Sequence, residues 1–150
     1  MITWQLKKFD SLTPHELYNI LRLRTEVFVV EQSCVFQDMD NKDQQSYHLM
    51  GWENNILIAY TRLIPPGISY PEASIGRVVT SPVSRGSGVG KLLMEKSIEA
   101  IIHSYGKIPI KIGAQVYLKK FYESLGFKQT SEIYDEDGID HIEMIRPPFS

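Results

Sequence analysis

Residues 81–96 read SPVSRGSGVGKLLMEK. Glycine recurs at every second position, Gly86, Gly88 and Gly90, and a helix-forming run follows without a break. Glycines permit positive φ and let a ligand come close to the chain. The free N–H groups of a first helical turn point at an anion, and the helix dipole adds roughly half a positive charge there. A backbone this bare at a helix start predicts a phosphate site. The N–H groups of Gly86, Ser87, Gly88, Val89, Gly90 and Lys91 can ring a diphosphate, and the side chains of Arg85 and Lys91 add local positive charge.

Spacing excludes two familiar phosphate motifs. A P-loop needs a glycine five residues before its Gly-Lys pair and a Ser or Thr after the lysine. Those positions hold Arg85 and Leu92, so the magnesium-binding hydroxyl is missing. A dinucleotide fingerprint G-x-G-x-x-G fails because its third glycine falls on Lys91 or on Leu93.

The chain has 150 residues, enough for a single domain over 1–150 with one core. A formal net charge of -2 and a pI near 6.1 argue against a nucleic-acid partner. The single cysteine, Cys34, rules out an internal disulfide and fits a reducing, cytoplasmic setting; it also rules out two-cysteine metal spacings, and no metal is expected. MITWQLKKFD has no signal-peptide character and no segment approaches 18 apolar residues, so no membrane association is expected.

The pattern of elements works outward from the glycines. Residues 74–80 (SIGRVVT) read as a short buried strand, and a helix runs from about Gly88 to Tyr105, ended by Gly106. IPIKIGA at 108–114 is a strand and VYLKKFYESLG at 116–126 a short helix. Upstream, residues 2–8 alternate as a strand; Thr13-Pro14-His15-Glu16 is a capping box opening a helix that carries Leu17, Ile20, Leu21, Arg24, Val27 and Phe28 to about Gln32. Residues 46–53 and 56–64 form a hairpin across Asn54-Asn55; Phe127–Tyr134 and Ile139–Ile145 form another across Asp137-Gly138. Strand–helix–strand at 74–114 implies a parallel pair with a right-handed crossover, giving an α/β fold with a mixed sheet.

Arg85-Gly86-Ser87-Gly88-Val89-Gly90 matches Arg/Gln-x-x-Gly-x-Gly/Ala. It resembles the acyl-CoA site of the GNAT superfamily of N-acyltransferases. AQVYLKKFYESLGFKQTSEIY resembles that superfamily's second signature, and LRLRTEVFVVEQ, GRVVTSP and DEDGIDHIEM together look like its ElaA-like branch. The resemblance covers nearly the whole chain. It implies splayed parallel central strands, acetyl-CoA as cosubstrate, and direct transfer of the acetyl group to a primary amine of a small molecule or peptide. The pantetheine arm would pair with the backbone of Val78, Val79 and Thr80 like an added strand.

A lysine-like amine of pKa about 10.4 is neutral in roughly one copy in 2,500 at pH 7, whereas a thiol near 8.5 leaves easily, so removing the amine proton is the larger task. Tyr122 matches the tyrosine that the resemblance implies protonates the departing thiolate, and it also shares a helical face with Leu118 and Leu125. The Val79 N–H is expected to polarise the thioester carbonyl. The strand holding Arg77 has no acid, so the base stays open between Glu31, His48, His141 and a water chain. Asp38, Asp40, Asp43, Glu72, Asp135, Glu136 and Asp137 make the surrounding loops acidic, which suits a cationic acceptor. A non-catalytic CoA-binding sensor and an acyl-homoserine-lactone-synthase-like enzyme are the competing readings, and the sequence admits a homodimer.

Overall fold

The structure, a computed structural model, describes residues 1–148. Strands β1 (Thr3–Lys8), β2 (Tyr47–Glu53), β3 (Ile56–Ile64) and β4 (Ser74–Thr80) form one antiparallel sheet in that order. Strand β8 (Ile139–Arg146) is the centre of a second sheet, pairing with β5 (Ile110–Gln115), β6 (Lys128–Gln129) and β7 (Tyr134–Glu136). Both hairpins turn where the sequence places them. Asn54 and Asn55 have φ of 51° and 63°, Asp137 and Gly138 of 52° and 82°, the left-handed pair that a two-residue hairpin turn demands.

Helix α1 (Pro14–Arg24) opens on the expected reciprocal cap: Glu16 N–H donates to Thr13 Oγ1 at 3.0 Å and Thr13 N–H to Glu16 Oε1 at 2.9 Å. The helix reaches Glu31 as expected, but Thr25–Glu31 winds as a π-helix. Such wider turns occur mostly at functional positions, and this one brings Val27, Phe28 and Glu31 to the main cleft. Helix α2 (Val89–Tyr105) covers the opposite face of the first sheet. Ile20, Leu23 and Val27 pack on Met50, Leu57 and Tyr60 on one side, while Val89 and Leu93 pack on Leu49, Ile58 and Ala59 on the other. That is why β3 is buried along nearly its whole length.

One expectation is corrected. The single strand over 127–134 is two short ones, because residues 131–133 leave the ladder: Thr130 N–H still donates to Glu143 carbonyl at 2.8 Å, but Ser131 Oγ accepts the Glu143 N–H at 2.8 Å in place of a strand carbonyl. The parallel pair β4–β5 is splayed, as the resemblance implies: it meets only at its root, where Ala73 bridges Ile110 and Lys111 N–H donates to Ala73 carbonyl at 2.9 Å. Beyond that point the strands part into separate sheets, joined by the packing of Met94, Ile98 and Ile101 on Leu63, Ile75, Ile110 and Ile112.

The loop over 33–46 is folded onto charge. Arg24, fully buried, donates to Asp38 and Asp43 at 2.9 Å each. Arg62 forks Asp40 at 2.7 and 2.8 Å and reaches Asp43 at 2.8 Å. Arg77 lies 2.8 Å from Asp38. Burial opposes ionisation of Asp40, but Arg62 and Arg77 outweigh it and hold its carboxyl far below the usual range. Asp43 is lowered in the same way, burial being overcome by Arg24 and Arg62. Depressed carboxylates stabilise the fold above their unfolded pKa of about 3.9 and lose that contribution as pH falls through their folded values. Stability is therefore expected to hold near neutrality and to decline below about pH 4 in urea titrations. Replacing Arg24 by methionine, which takes one of two cationic partners from each of the buried carboxylates Asp38 and Asp43, is expected to cost about 3–5 kcal/mol in the same measurement at pH 7.

Candidate active site

The parting of β4 and β5 opens a cleft of about 1040 Å³ between the two sheets. One end lies at the glycine stretch. Gly86 and Gly88 have φ of 85° and 79°, which only glycine adopts without strain, and they turn the chain into α2. Gly90 has no such φ; open space lies where its Cβ would be, and it lines the cleft. Among the described residues, none of the N–H groups from Gly86 to Lys91 donates to a protein acceptor, and the first that does is Leu92, to Gly88 carbonyl at 3.2 Å. Six consecutive donors at a helix start are thus available to an anion. The side chains contribute less. Ser87 Oγ donates to Ser84 carbonyl at 2.6 Å, Val89 is buried in the core, and Lys91 is exposed outside the cleft lining.

Arg85 is placed differently from its sequence reading. Its guanidinium forks the Glu31 carboxylate at 2.6 and 2.7 Å and lies 3.4 Å from Thr80 carbonyl. It ties the π-helix to β4 across one edge of the cleft. The hydrogen bonds from Arg85 hold Glu31 below the usual carboxylate range, which weakens it as a proton acceptor.

Strand β4 carries a β-bulge. Tyr60 pairs with Val79 and Arg62 with Gly76, so Arg77 and Val78 both stand opposite Thr61. Arg77 takes φ of 48°. Thr61 donates to Ser97 Oγ at 2.7 Å, because the Ser97 proton is committed to Leu93 carbonyl at 2.8 Å, and the bulge is thereby anchored on α2. Ladder alternation fixes which groups face outward. Ser81 N–H donates to Ile58 carbonyl at 2.7 Å, so the Ala59–Thr80 pair is unbonded and the Tyr60–Val79 pair is bonded. Val79 therefore turns its N–H to β3 and not to the cleft. Thr80 and Val78 present backbone groups to the cleft, and the Val79 N–H, expected to polarise a carbonyl there, does not.

Tyr122 lies in α3 (Lys119–Glu123), with its ring between Phe121 and Phe127 at centroid distances of 5.2 and 5.9 Å. The ring is core, as the helical face implies, but the side chain also lines the cleft and its hydroxyl makes no hydrogen bond among the described residues. Burial, with Tyr117 adding to it, pushes the phenol up to about 12, so it remains a proton donor at neutral pH.

The two histidines separate. His48 is fully buried away from the cleft, with Nε2 donating to Asp43 carbonyl at 2.8 Å and Nδ1 accepting from the Tyr60 hydroxyl at 2.6 Å. Burial lowers its pKa, and it is a fixed strut, which removes it as a base. His141 lines the cleft. Its Nδ1 donates to Ile139 carbonyl at 2.8 Å, which leaves Nε2 as the proton-accepting atom, 3.5 Å from Glu136.

The expected acidic acceptor surface is also corrected. Asp38, Asp40 and Asp43 are consumed by Arg24, Arg62 and Arg77; Glu72 is half-buried with no ion pair among the described residues, and Asp135, Glu136 and Asp137 of the β7–β8 turn stay open. The sequence carried one signal of this. Arg24 stands in the apolar stripe of α1, and a charge on a buried face demands a buried partner.

Comparison with known proteins agrees with this geometry. A sequence profile described as an acetyltransferase (GNAT) domain matches residues 11–146. Protein ElaA of Escherichia coli K12 is 43% identical over 148 residues, 97% of each chain. The crystal structure of Escherichia coli ElaA superimposes with a TM-score of 0.92 at 42% identity, covering 97% of this chain and 99% of that one. An acyl-CoA N-acyltransferase from Pseudomonas aeruginosa superimposes with a TM-score of 0.94 at 42% identity and the same coverage. The chain belongs to the GNAT acetyltransferase family, in its ElaA-like branch.

Proposed function

We propose that the protein is an acetyl-CoA-dependent N-acetyltransferase that acts on a primary amine. The observation that carries this reading is one cleft that reaches, at Gly90, a helix start whose six successive N–H groups make no protein hydrogen bond, and that holds the unpartnered, protonated Tyr122 hydroxyl. The N–H groups of Gly86 to Lys91 would hold the diphosphate, and the outward backbone of Val78 and Thr80 the amides of the pantetheine arm. Acetyl-CoA, when bound, supplies a thioester carbonyl open to attack by a neutral amine.

The residues of the chain manage two protons. The acceptor enters as an ammonium, and His141 Nε2 is the best-placed group to take its first proton, with Glu136 stabilising the imidazolium formed. The amine nitrogen bonds to the acyl carbon as the carbon–sulfur bond breaks. The nitrogen sheds its second proton to water while Tyr122 Oη protonates the departing sulfur; Tyr122 regains a proton from water, and His141 releases the first one to bulk. The Val78 N–H steadies the charge that gathers on the carbonyl oxygen. Holding both partners in one cleft supplies several kcal/mol of the barrier reduction.

Thiol release from acetyl-CoA over a panel of amines, amino acids and peptides tests the reading, and no release with any acceptor sinks it. Gly90→Glu sets a carboxylate into the amide ring without straining the helix. It is expected to weaken acetyl-CoA binding at least about 100-fold by calorimetry while leaving the melting temperature unchanged. Tyr122→Phe is expected to lower kcat about 100-fold with the acetyl-CoA KM within twofold, whereas an equal loss in binding would assign Tyr122 to packing alone.

A further inference from the structure

We propose that the acceptor carries a carboxylate as well as its amine, and that Lys42 anchors that carboxylate; this rests on the acetyltransferase reading above. The charges lining the cleft cancel almost everywhere. Arg62, Arg77 and Asp40 belong to the buried arginine–aspartate cluster, and Glu31 and Arg85 satisfy each other. What is left in the lining is one cation, Lys42, and the acidic β7–β8 turn with Glu136 and Asp137.

Lys42 is mounted for this task. Its backbone N–H donates to Asp40 at 3.2 Å and its carbonyl accepts Ser46 Oγ at 2.7 Å, which fixes the base of the side chain. Its Nζ makes one bond, 3.0 Å to Ser69 Oγ in the loop before β4, and no carboxylate lies within ion-pair distance among the described residues. Asp40 is too heavily engaged by Arg62 and Arg77 to serve. An ammonium has three protons, so two of those on Lys42 are unclaimed. Gln37 and Ser74, which line the same cleft, make no side-chain hydrogen bond among the described residues. This part of the lining offers donors and no anion.

The two belong to segments in contact. Cys34 Sγ donates to Asp137 carbonyl at 3.2 Å, bringing the loop that carries Lys42 against the β7–β8 turn. A ligand in the cleft meets both the Lys42 cation and Glu136 with His141. A zwitterion matches both, with the carboxylate on Lys42 and the ammonium passing Glu136 on its way to losing a proton at His141. Phe28, Phe36, Tyr70 and Ile64 line the remainder, so the body of the acceptor is amino-acid-like and apolar.

The test compares glycine, leucine, phenylalanine and Gly-Phe with their carboxamides. Binding to the CoA-saturated protein is read by calorimetry, turnover by thiol release. The wild type is expected to favour each free carboxylate over its amide by about tenfold or more, the free amino acids and the dipeptide reporting separately on the two sources of carboxylate. Lys42→Met is expected to bring that ratio to within twofold while leaving affinity for the amides and the melting temperature unchanged, and Lys42→Arg to retain most of the preference. Equal binding of acids and amides by the wild type, binding of neither, or a preference that survives Lys42→Met overturns the proposal. Those results, with acetyl-CoA still bound and some amine still acetylated, leave the acetyltransferase reading intact; loss of acetyl-CoA binding itself would remove both.

Discussion

Everything functional in this protein depends on two strands that begin as neighbours and then part. The Ala73–Ile110 bridge is the one parallel link between β4 and β5 among the described residues. Past it, each strand keeps a partner on its outer side and leaves its inner edge bare. Bare backbone is expensive to bury and welcomes a ligand that brings amides of its own. The sheets nevertheless stay together, because side chains of α2 and α3 fill the wedge beneath them. Met94, Ile98 and Ile101 pack across both strands, and Tyr122 and Phe127 close the core from the other side. The cleft is therefore a gap in hydrogen bonding, not a gap in packing.

The buried arginine–aspartate cluster keeps that gap in shape. Arg77 holds a left-handed backbone that costs an arginine about 1–3 kcal/mol, and its guanidinium is held against Asp38 and Asp40. Through Arg77 the loop over 33–46 is coupled to the bulge, and the bulge decides which residues of β4 show their N–H groups to the cleft. Arg24 and Arg62 bind the same loop to α1 and β3. One set of charges thus fixes the acceptor wall and the strand edge together. Buried charge clusters contribute little net stability over apolar packing; what this one contributes is position.

Arg85 and Glu31 show how a motif residue can take a different post. The spacing sets Arg85 beside the phosphate site, and the backbone there behaves as the spacing implies. The side chain turns away to a carboxylate from the end of the π-helix. The guanidinium beside the bare helix start is thus already engaged, and the unclaimed donors there are backbone N–H groups.

Much of this was legible along the chain. Alternation, the Thr13 capping box, the Asn-Asn and Asp-Gly turns and the glycines at 86, 88 and 90 report on contacts between residues a few positions apart, and those contacts form wherever the chain goes. The elements, the bare helix start at Gly86–Lys91 and the place of Tyr122 in α3 followed from them, and the family resemblance rested on the same stretches. Four matters lay beyond reach: the burial of Asp38, Asp40 and Asp43, the split between a buried strut at His48 and a cleft-lining His141, the turn of the Val79 N–H toward β3, and the break between β6 and β7. Each turns on a partner from a distant segment, such as Asp43 with Arg24, Val79 with Tyr60, or Ser131 with Glu143. A carboxylate or an imidazole has no fixed chemistry of its own. Its ionisation and its free lone pairs depend on the groups around it, and only the tertiary structure decides which groups those are.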